Sequence, residues 1–294
     1  MKKLVLSTIC SFLSISSYAY DARSYILLPI DYSLVDMQIS NVETIKKINS
    51  FVTAKSNLNM IYARYVDYFN FFDNLGAAYI LLPYSKNDGN VHMGSSLLKN
   101  EKIDGLGDIR MFLGLGTYNM PALTKEQFKY YNKDGLRSAC SLALTIPTGS
   151  YDQNNLFNIG SNQISIKPEC ILTYTQNKFV AEFATGLTKY SDNKQYTSNS
   201  QLSKDNLYHS ELHLSYSIEP KLWAGVDLFY AHGGKTYVNN VPGKDQQENL
   251  SAGLIMSYNL APGSYIKVNY QKTISSPEFA PKQKYFGLAF QQLF

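Results

Sequence analysis

Apolar and polar side chains alternate along much of this chain. In residues 207–218, Leu212, Leu214, Tyr216 and Ile218 fall on one side and Glu211, His213, Ser215 and Ser217 on the other, as in a strand whose alternate residues share a face. In 247–260, Leu250, Ala252, Leu254, Met256 and Tyr258 alternate with Ser251, Gly253 and Ser257. Ile109, Met111, Leu113 and Leu115 oppose Asp108, Arg110, Gly114 and Gly116, while Cys140, Leu142, Leu144 and Ile146 oppose Ser141, Ala143 and Thr145. The pattern predicts twelve strands, at 32–40, 56–69, 74–84, 106–118, 136–147, 162–175, 178–190, 207–218, 222–232, 247–260, 264–274 and 284–294. Lipid on one face and a polar lumen on the other is the economical explanation, so the expected fold is all-β, an antiparallel transmembrane β-barrel.

The predicted connections alternate in length. Tight turns are expected near 70–73, 176–177, 219–221 and 261–263, and longer polar loops at 85–105, 148–161, 191–206 and 233–246, with a shorter one at 275–283. With a periplasmic C-terminus, the tight turns fall on the periplasmic side and the long loops outside. The segment 119–135 breaks this rule, and 123–131 within it reads as a short helix capped by Thr124 or as an insertion. Residues 41–57 have scattered apolar positions, so ten strands with an N-terminal plug is the competing topology. The last strand carries Phe286, Leu288 and Phe290 on one face and ends on Phe294. That tail resembles the C-terminal strand of bacterial outer-membrane barrels, which implies recognition by the barrel-assembly machinery. Gln292 interrupts the apolar face, and the plain alternative is the edge strand of a soluble β-protein.

The other end favours export. Lys2 and Lys3 precede an apolar run from Leu4 to Ile15, and Ser17, Tyr18 and Ala19 form a small-x-small site, the signature of a signal peptide spanning 1–19. No small residues precede Cys10 in the manner of a lipoprotein site. Loss of the two lysines lowers the net charge from +4 to +2, which with no basic cluster argues against nucleic acid. No linker or repeat divides 20–294, which reads as one barrel domain. After the signal no stretch reaches the length of a spanning helix, and an extended chain entering lipid must close on itself. The 24 Tyr against a single Trp suit the interfacial girdles of such a barrel. The expected location is the bacterial outer membrane, the expected lipid partners are outer-membrane lipid and lipopolysaccharide, and the expected state is a monomer.

Several short sequences then fall into a familiar order: Gly105, Leu106, Gly107 and Asp108; Pro147, Thr148 and Gly149; Gly160, Ser161 and Asn162 leading to Lys167 and Pro168; residues 190–193; Trp223; and Gly233 and Gly234 before Thr236, Val238 and Asn239. Their order resembles the MetA-pathway of phenol degradation family of outer-membrane proteins, over nearly the whole mature chain. The resemblance implies a transporter-like barrel passing small molecules, aromatic or apolar ones among them, with no defined catalytic residues. The insertion at 119–135 and the scarcity of Trp depart from the family pattern.

Residues expected to line the lumen are Arg110, Lys167, Glu169, Glu182, Glu211, His213, Asp227 and Lys267. Charges inside a barrel wall must be hydrated or paired, so they either tune selectivity or form a salt-bridged filling. His213 and Ser215 share the His-x-Ser spacing of outer-membrane phospholipase A, but on the polar face, whereas that enzyme works on its lipid-facing wall. The Gly105 to Asp108 run also matches an intramembrane aspartyl protease motif that requires spanning helices. The four His and two mature Cys show no metal spacing, and no cofactor motif is present. Cys140 and Cys170 sit at similar depth on adjacent predicted strands, compatible with a disulfide or with two free thiols. Three functions compete: a channel for small molecules, a surface-interaction protein with a plugged lumen working through loops 191–206 and 233–246, and a phospholipase-like hydrolase.

Overall fold

The computed structural model describes residues 21–197 and 200–294; the signal peptide expected at 1–19 lies outside them. The chain forms β1 (Ser33–Lys47), β2 (Val52–Phe71), β3 (Asn74–Met93), β4 (Ser96–Leu106), β5 (Ile109–Tyr118), a short helix α1 (Lys125–Tyr130), β6 (Gly135–Ile146), β7 (Ser165–Gln176), β8 (Phe179–Tyr190), β9 (Asn193–Tyr196), β10 (Ser200–Lys204), β11 (Leu207–Glu219), β12 (Leu222–Gly233), β13 (Thr236–Val238), β14 (Val241–Pro242), β15 (Gln247–Ala261), β16 (Ser264–Ser275) and β17 (Lys282–Leu293).

Thirteen of these strands form one antiparallel sheet that closes through β1–β17 and β2–β3 pairing. They occupy twelve wall positions, because β4 and β5 lie end to end against the upper and lower halves of β3. Closure leaves no free edge within lipid. Leu34 pairs with Leu293, and Ser33 and Phe294 exchange backbone hydrogen bonds, so strand starts and ends meet at one rim. Two-residue turns close that rim. Phe72 and Asp73 both have positive φ, as a type I′ turn demands, and Gly263 takes φ 79° after Pro262, as in a type II turn.

Burial is inverted relative to a soluble protein. Outward residues such as Ile39, Leu113, Leu172, Leu254 and Phe290 are exposed, whereas Glu182, Glu211 and His213 are at most 2% exposed. Tyr65, Tyr174, Tyr216 and Tyr258 ring the wall near the termini, and Tyr84, Tyr208, Tyr230 and Tyr270 ring it near the opposite end, all outward. On β11 the two rings are eight residues apart, about 26 Å along the strand and about 20 Å across a membrane at ordinary barrel tilt.

The expected strands match closely at membrane depth and diverge above it. The predicted loop 85–105 is instead strand, since β3 runs to Met93 and β4 starts at Ser96. The unplaced 41–57 is likewise the top of the β1–β2 hairpin. The twenty residues of β2 would extend about 66 Å, far beyond a span. There Lys86, Asp88 and Asn90 face out and Ser85, Asn87 and Gly89 face in, and this stretch, polar on both faces, carries no apolar alternation to read. The predicted single strand 106–118 is broken at Gly107 and Asp108.

The expected polar loops 191–206 and 233–246 instead contribute a small second sheet in the order β14-β13-β10-β9. In the 119–134 connection α1 carries a capping box, with Thr124 and Gln127 bonded reciprocally, which tethers the first turn. Cys140 and Cys170 are directly paired across β6 and β7 and form a disulfide on the outer wall. Alkylation of unreduced, detergent-unfolded protein, followed by intact-mass measurement, is therefore expected to modify neither cysteine, and prior reduction to expose both.

Candidate functional site: an occluded lumen

Register decides which inward side chains meet. Asp227, His213, Glu182 and Thr173 lie in one row across β12, β11, β8 and β7, while Ala231, His209, Gly186 and Glu169 lie in another. In the first row His213 Nδ1 is 2.7 Å from Asp227 and its Nε2 is 3.4 Å from Glu211. In the second, Gly186 has no side chain between its neighbours, and His209 Nε2 reaches Glu169 at 2.6 Å. Lys167 lies 3.0 Å from Glu169 and 3.8 Å from Glu211. Glu169, His209 and Glu211 present donor atoms within 4.8 Å of one another, but the Lys167 ammonium already supplies the cluster's positive charge.

The segment 21–32 threads this lumen and completes the network. The Arg23 backbone N–H donates to Glu182 at 2.6 Å, and its guanidinium donates to Ser215 and Ser217 at 2.9 and 3.0 Å and covers the Trp223 ring at 4.7 Å. Arg23 holds φ 64°, an unfavourable left-handed conformation that these bonds over-determine. The Tyr25 hydroxyl donates to Glu169 at 3.0 Å and sits 2.9 Å from the Ser141 hydroxyl. Across the barrel Asp21 accepts from Asn269 at 2.8 Å and faces Lys267 at 3.4 Å. Leu27 packs with Leu75, Met120, Ala139 and Ile171. The 119–134 connection grips the segment's end, through Ile30 N–H to Leu123 C=O and Lys125 N–H to Asp31, at 2.9 and 2.7 Å. That connection is thus a floor bracket, which accounts for its length on the short-turn rim.

All eight sequence-derived lumen residues face inward: Lys167, Glu169, Glu182, Glu211, His213, Asp227 and Lys267 are buried, and Arg110 is half-buried. The first four join His213 and Asp227 in one network. Lys267 stands apart on β16, held by Asp21, and Arg110 borders a cavity instead. The reading missed Asp21, Arg23, Tyr25 and His209, as well as the Asp36–Arg64 pair. His213 engages Asp227 and Glu211 while the Ser215 hydroxyl accepts from Arg23, so the His-x-Ser pair is divided between separate partners.

Above Asp21 lies a cavity of about 130 Å³, bordered by Gln38, Tyr62, Arg64, Tyr79, Arg110, Glu211, Phe229 and Tyr285. Its walls mix aromatic rings with paired charges. Val42 and Tyr285, on its border, pack against Ile159 of the 147–164 loop. That loop folds inward, with Phe157 only 1% exposed. Asp108 clamps it by accepting from Gly149 N–H at 2.9 Å, Ser161 N–H at 2.8 Å and Ser161 Oγ at 2.6 Å. The Gly149 backbone lies against those of Gly107 and Gly160, leaving no space for a Cβ on Gly149 or Gly160, and a Cβ on Gly107 would strike the Pro83 ring. The short Gly-Asp, Pro-Thr-Gly and Gly-Ser sequences are therefore parts of one joint.

A buried clasp holds the outer loops. Lys46 at the top of β1 pairs with Asp245 at 2.7 Å, and Asp245 also accepts from Thr236 N–H and Oγ1 at 3.1 and 2.8 Å. Burial pushes the Asp245 carboxyl upward, but the Lys46 ammonium and the Thr236 donors outweigh it and hold the carboxyl below its ordinary 3.8. On β10 burial lowers Lys204 to about 8, against the pull of Asp245.

A closed twelve-position membrane barrel, occluded by its own leading segment, is the class these features define. The chain belongs to the MetA-pathway of phenol degradation family, whose description matches residues 48–292. The structure is similar to that of an outer-membrane channel from Pseudomonas putida F1, with TM-score 0.78 and 17% identity over 94% of this chain and 100% of that one. It is also similar to the transport unit of the autotransporter AIDA-I from Escherichia coli, with TM-score 0.59 and 10% identity over 98% and 96% of the two chains. The β-domain of the Bordetella autotransporter BrkA gives TM-score 0.54 and 10% identity over 90% and 99%. No curated protein sequence matches the chain.

Asp108→Ala, which removes the acceptor for three bonds, is expected to destabilise the 147–164 joint by about 2 kcal/mol and to expose that loop to limited proteolysis while the barrel stays intact. A carboxyl held below its ordinary value stabilises the fold above that value and loses the contribution as pH falls through the depressed one. The outer clasp should therefore be strong at pH 7 and release under strong acid. Asp245→Asn, leaving Lys46 buried without its carboxylate, is expected to cost about 3 kcal/mol, read as faster cleavage of loop 234–246 at neutral pH.

Proposed function

We propose that this protein is an outer-membrane channel that passes small, partly apolar molecules down their gradient, with segment 21–32 as the occluding element. The observation that carries this reading is the cavity bordered by Asp21 and Ser24 of that segment, whose wall joins Tyr62, Tyr79, Phe229 and Tyr285 to paired polar groups. Such a lining suits solutes with an aromatic or apolar body and a polar handle. Family membership and the likeness to an outer-membrane channel support it. The segment is held by hydrogen bonds, by the Asp21–Lys267 pair and by the packing of Tyr25 and Leu27, none of which belongs to the strand ladders, so its displacement leaves those ladders whole. In this reading the protein is a conduit and catalyses no reaction.

The small sheet formed by β9, β10, β13 and β14 supports a second reading, a surface-interaction protein working through its outer loops. The two readings separate on loop deletion, which would abolish partner binding in the second and leave permeation unchanged or raised in the first. For the channel, removal of residues 21–31 from refolded protein in planar bilayers is expected to raise single-channel conductance and liposome swelling by small solutes. A shortened protein that folds, inserts and never conducts would overturn the channel reading.

A further inference from the structure

The outer wall is electrically uneven where its apolar belt ends. Ascending β16, the outward residues are Ile266, Val268, Tyr270 and then Lys272; ascending β17 they are Phe290, Leu288, Phe286 and then Lys284 and Lys282. Tyr270 is paired with Phe286, and the next outward row sets Lys272 directly opposite Lys284. Like charges opposed on antiparallel strands repel. Lys284 has Glu43 at 3.4 Å, both half exposed, while among the described residues Lys272 and Lys282 form no ion pair. Lys55, outward on β2, extends the basic flank across β1. At the same boundary on the opposite flank, Ile166, Lys189 and Tyr208 present a single cation.

We propose that the flank formed by β16, β17 and β2 docks the phosphorylated headgroup of lipid A. This rests on the outer-membrane placement above, in which the long-loop rim faces outward. Lysines one step beyond the aromatic ring lie at headgroup depth, where a surface ammonium attracts anionic lipid. Lys282 and Lys284 are about 7 Å apart along their strand, with Lys272 beside them, so three ammonium groups can share one phosphate and a phosphate between Lys272 and Lys284 removes their repulsion. Val268, Leu288 and Ile39 directly below offer a broad apolar wall for acyl chains. A headgroup with two phosphates over several chains fits both halves of this surface, whereas free phosphate engages only one.

The test is a triple variant, Lys272→Gln with Lys282→Gln and Lys284→Gln, purified and placed in nanodiscs of zwitterionic lipid, with added lipid A counted by native mass spectrometry. Wild type and Lys189→Gln are expected to retain lipid A, and the triple variant to bind it at least about tenfold more weakly. Heat-modifiable gel migration checks that each variant is folded. Equal binding by the triple variant and wild type, or wild-type binding of phosphatidylglycerol as tight as that of lipid A, would overturn the proposal. Conductance of the form lacking 21–31 keeps the readings apart: permeation without lipid A selectivity defeats only the docking surface, and lipid A selectivity without permeation defeats only the channel.

Discussion

A backbone that crosses lipid must satisfy every N–H and C=O within itself, and this chain does so by closing a sheet through β1–β17 and β2–β3. Closure dictates the rest. Once the ring is shut, one face of every strand meets hydrocarbon and the other an enclosed space too narrow to be bulk water, between the packed eight-strand barrel and the open porin. Glu169, Glu182, Glu211 and Asp227 occupy that space, and such charges persist only when paired. Two histidines and Lys167 supply part of the pairing, and Arg23 and Tyr25, arriving from outside the wall, complete it. The occluding segment is thus part of the charge balance of the lumen.

The same constraint separates a rigid wall from replaceable contents. The wall is fixed by continuous ladders and, on β6 and β7, by a disulfide on its outer face. Inside, Asp21, Arg23 and Tyr25 are held by side-chain bonds to three different strand groups, each exchangeable for water at modest net cost. At the outer mouth the Asp108 joint and the Lys46–Asp245 clasp hold loops from two sides. A solute in the cavity touches aromatic rings and paired charges on the same wall, and the inner set is what it can displace.

How far the sequence could be read follows from where lipid imposes its rule. At membrane depth alternation is strict, so the faces of β11, β15 and β17 and the inward direction of Glu211, His213 and Asp227 were legible. Above the belt the outer faces of β2, β3 and β4 are wet, and the buried inner face mixes Ser56, Ser85 and Asn87 with Ala54, Leu58 and Val91, so the alternation dissolves, which hid two long hairpins in stretches that read as loops. The occluding segment was illegible for another reason. Twelve residues with no period carry no sign of a destination, and the partners of Arg23 and Tyr25 exist only once the register has set Glu182 beside Ser215 and Glu169 beside Ser141. The notion of an N-terminal plug was right only in part, because it was tied to ten strands and the wall has twelve positions.

The family-like fragments show the complementary case. Gly107, Asp108, Gly149, Gly160 and Ser161 were noticed for their order, yet nothing in the sequence says why those residue types stand there. The structure supplies the reason: β4 must hand over to β5 against one unbroken neighbour, β3, and the inward fold of 147–164 is anchored at that break. The Gly149 backbone lies against those of Gly107 and Gly160 with no space for a Cβ, so glycine is required, and the Asp108 carboxylate accepts two N–H groups and a hydroxyl. A defect in the ladder, costly in lipid, is thereby turned into the anchor of the loop whose Ile159 packs against Val42 and Tyr285 at the cavity's border. Side chains that look like punctuation in the sequence are the ones that connect the wall to what lies within it.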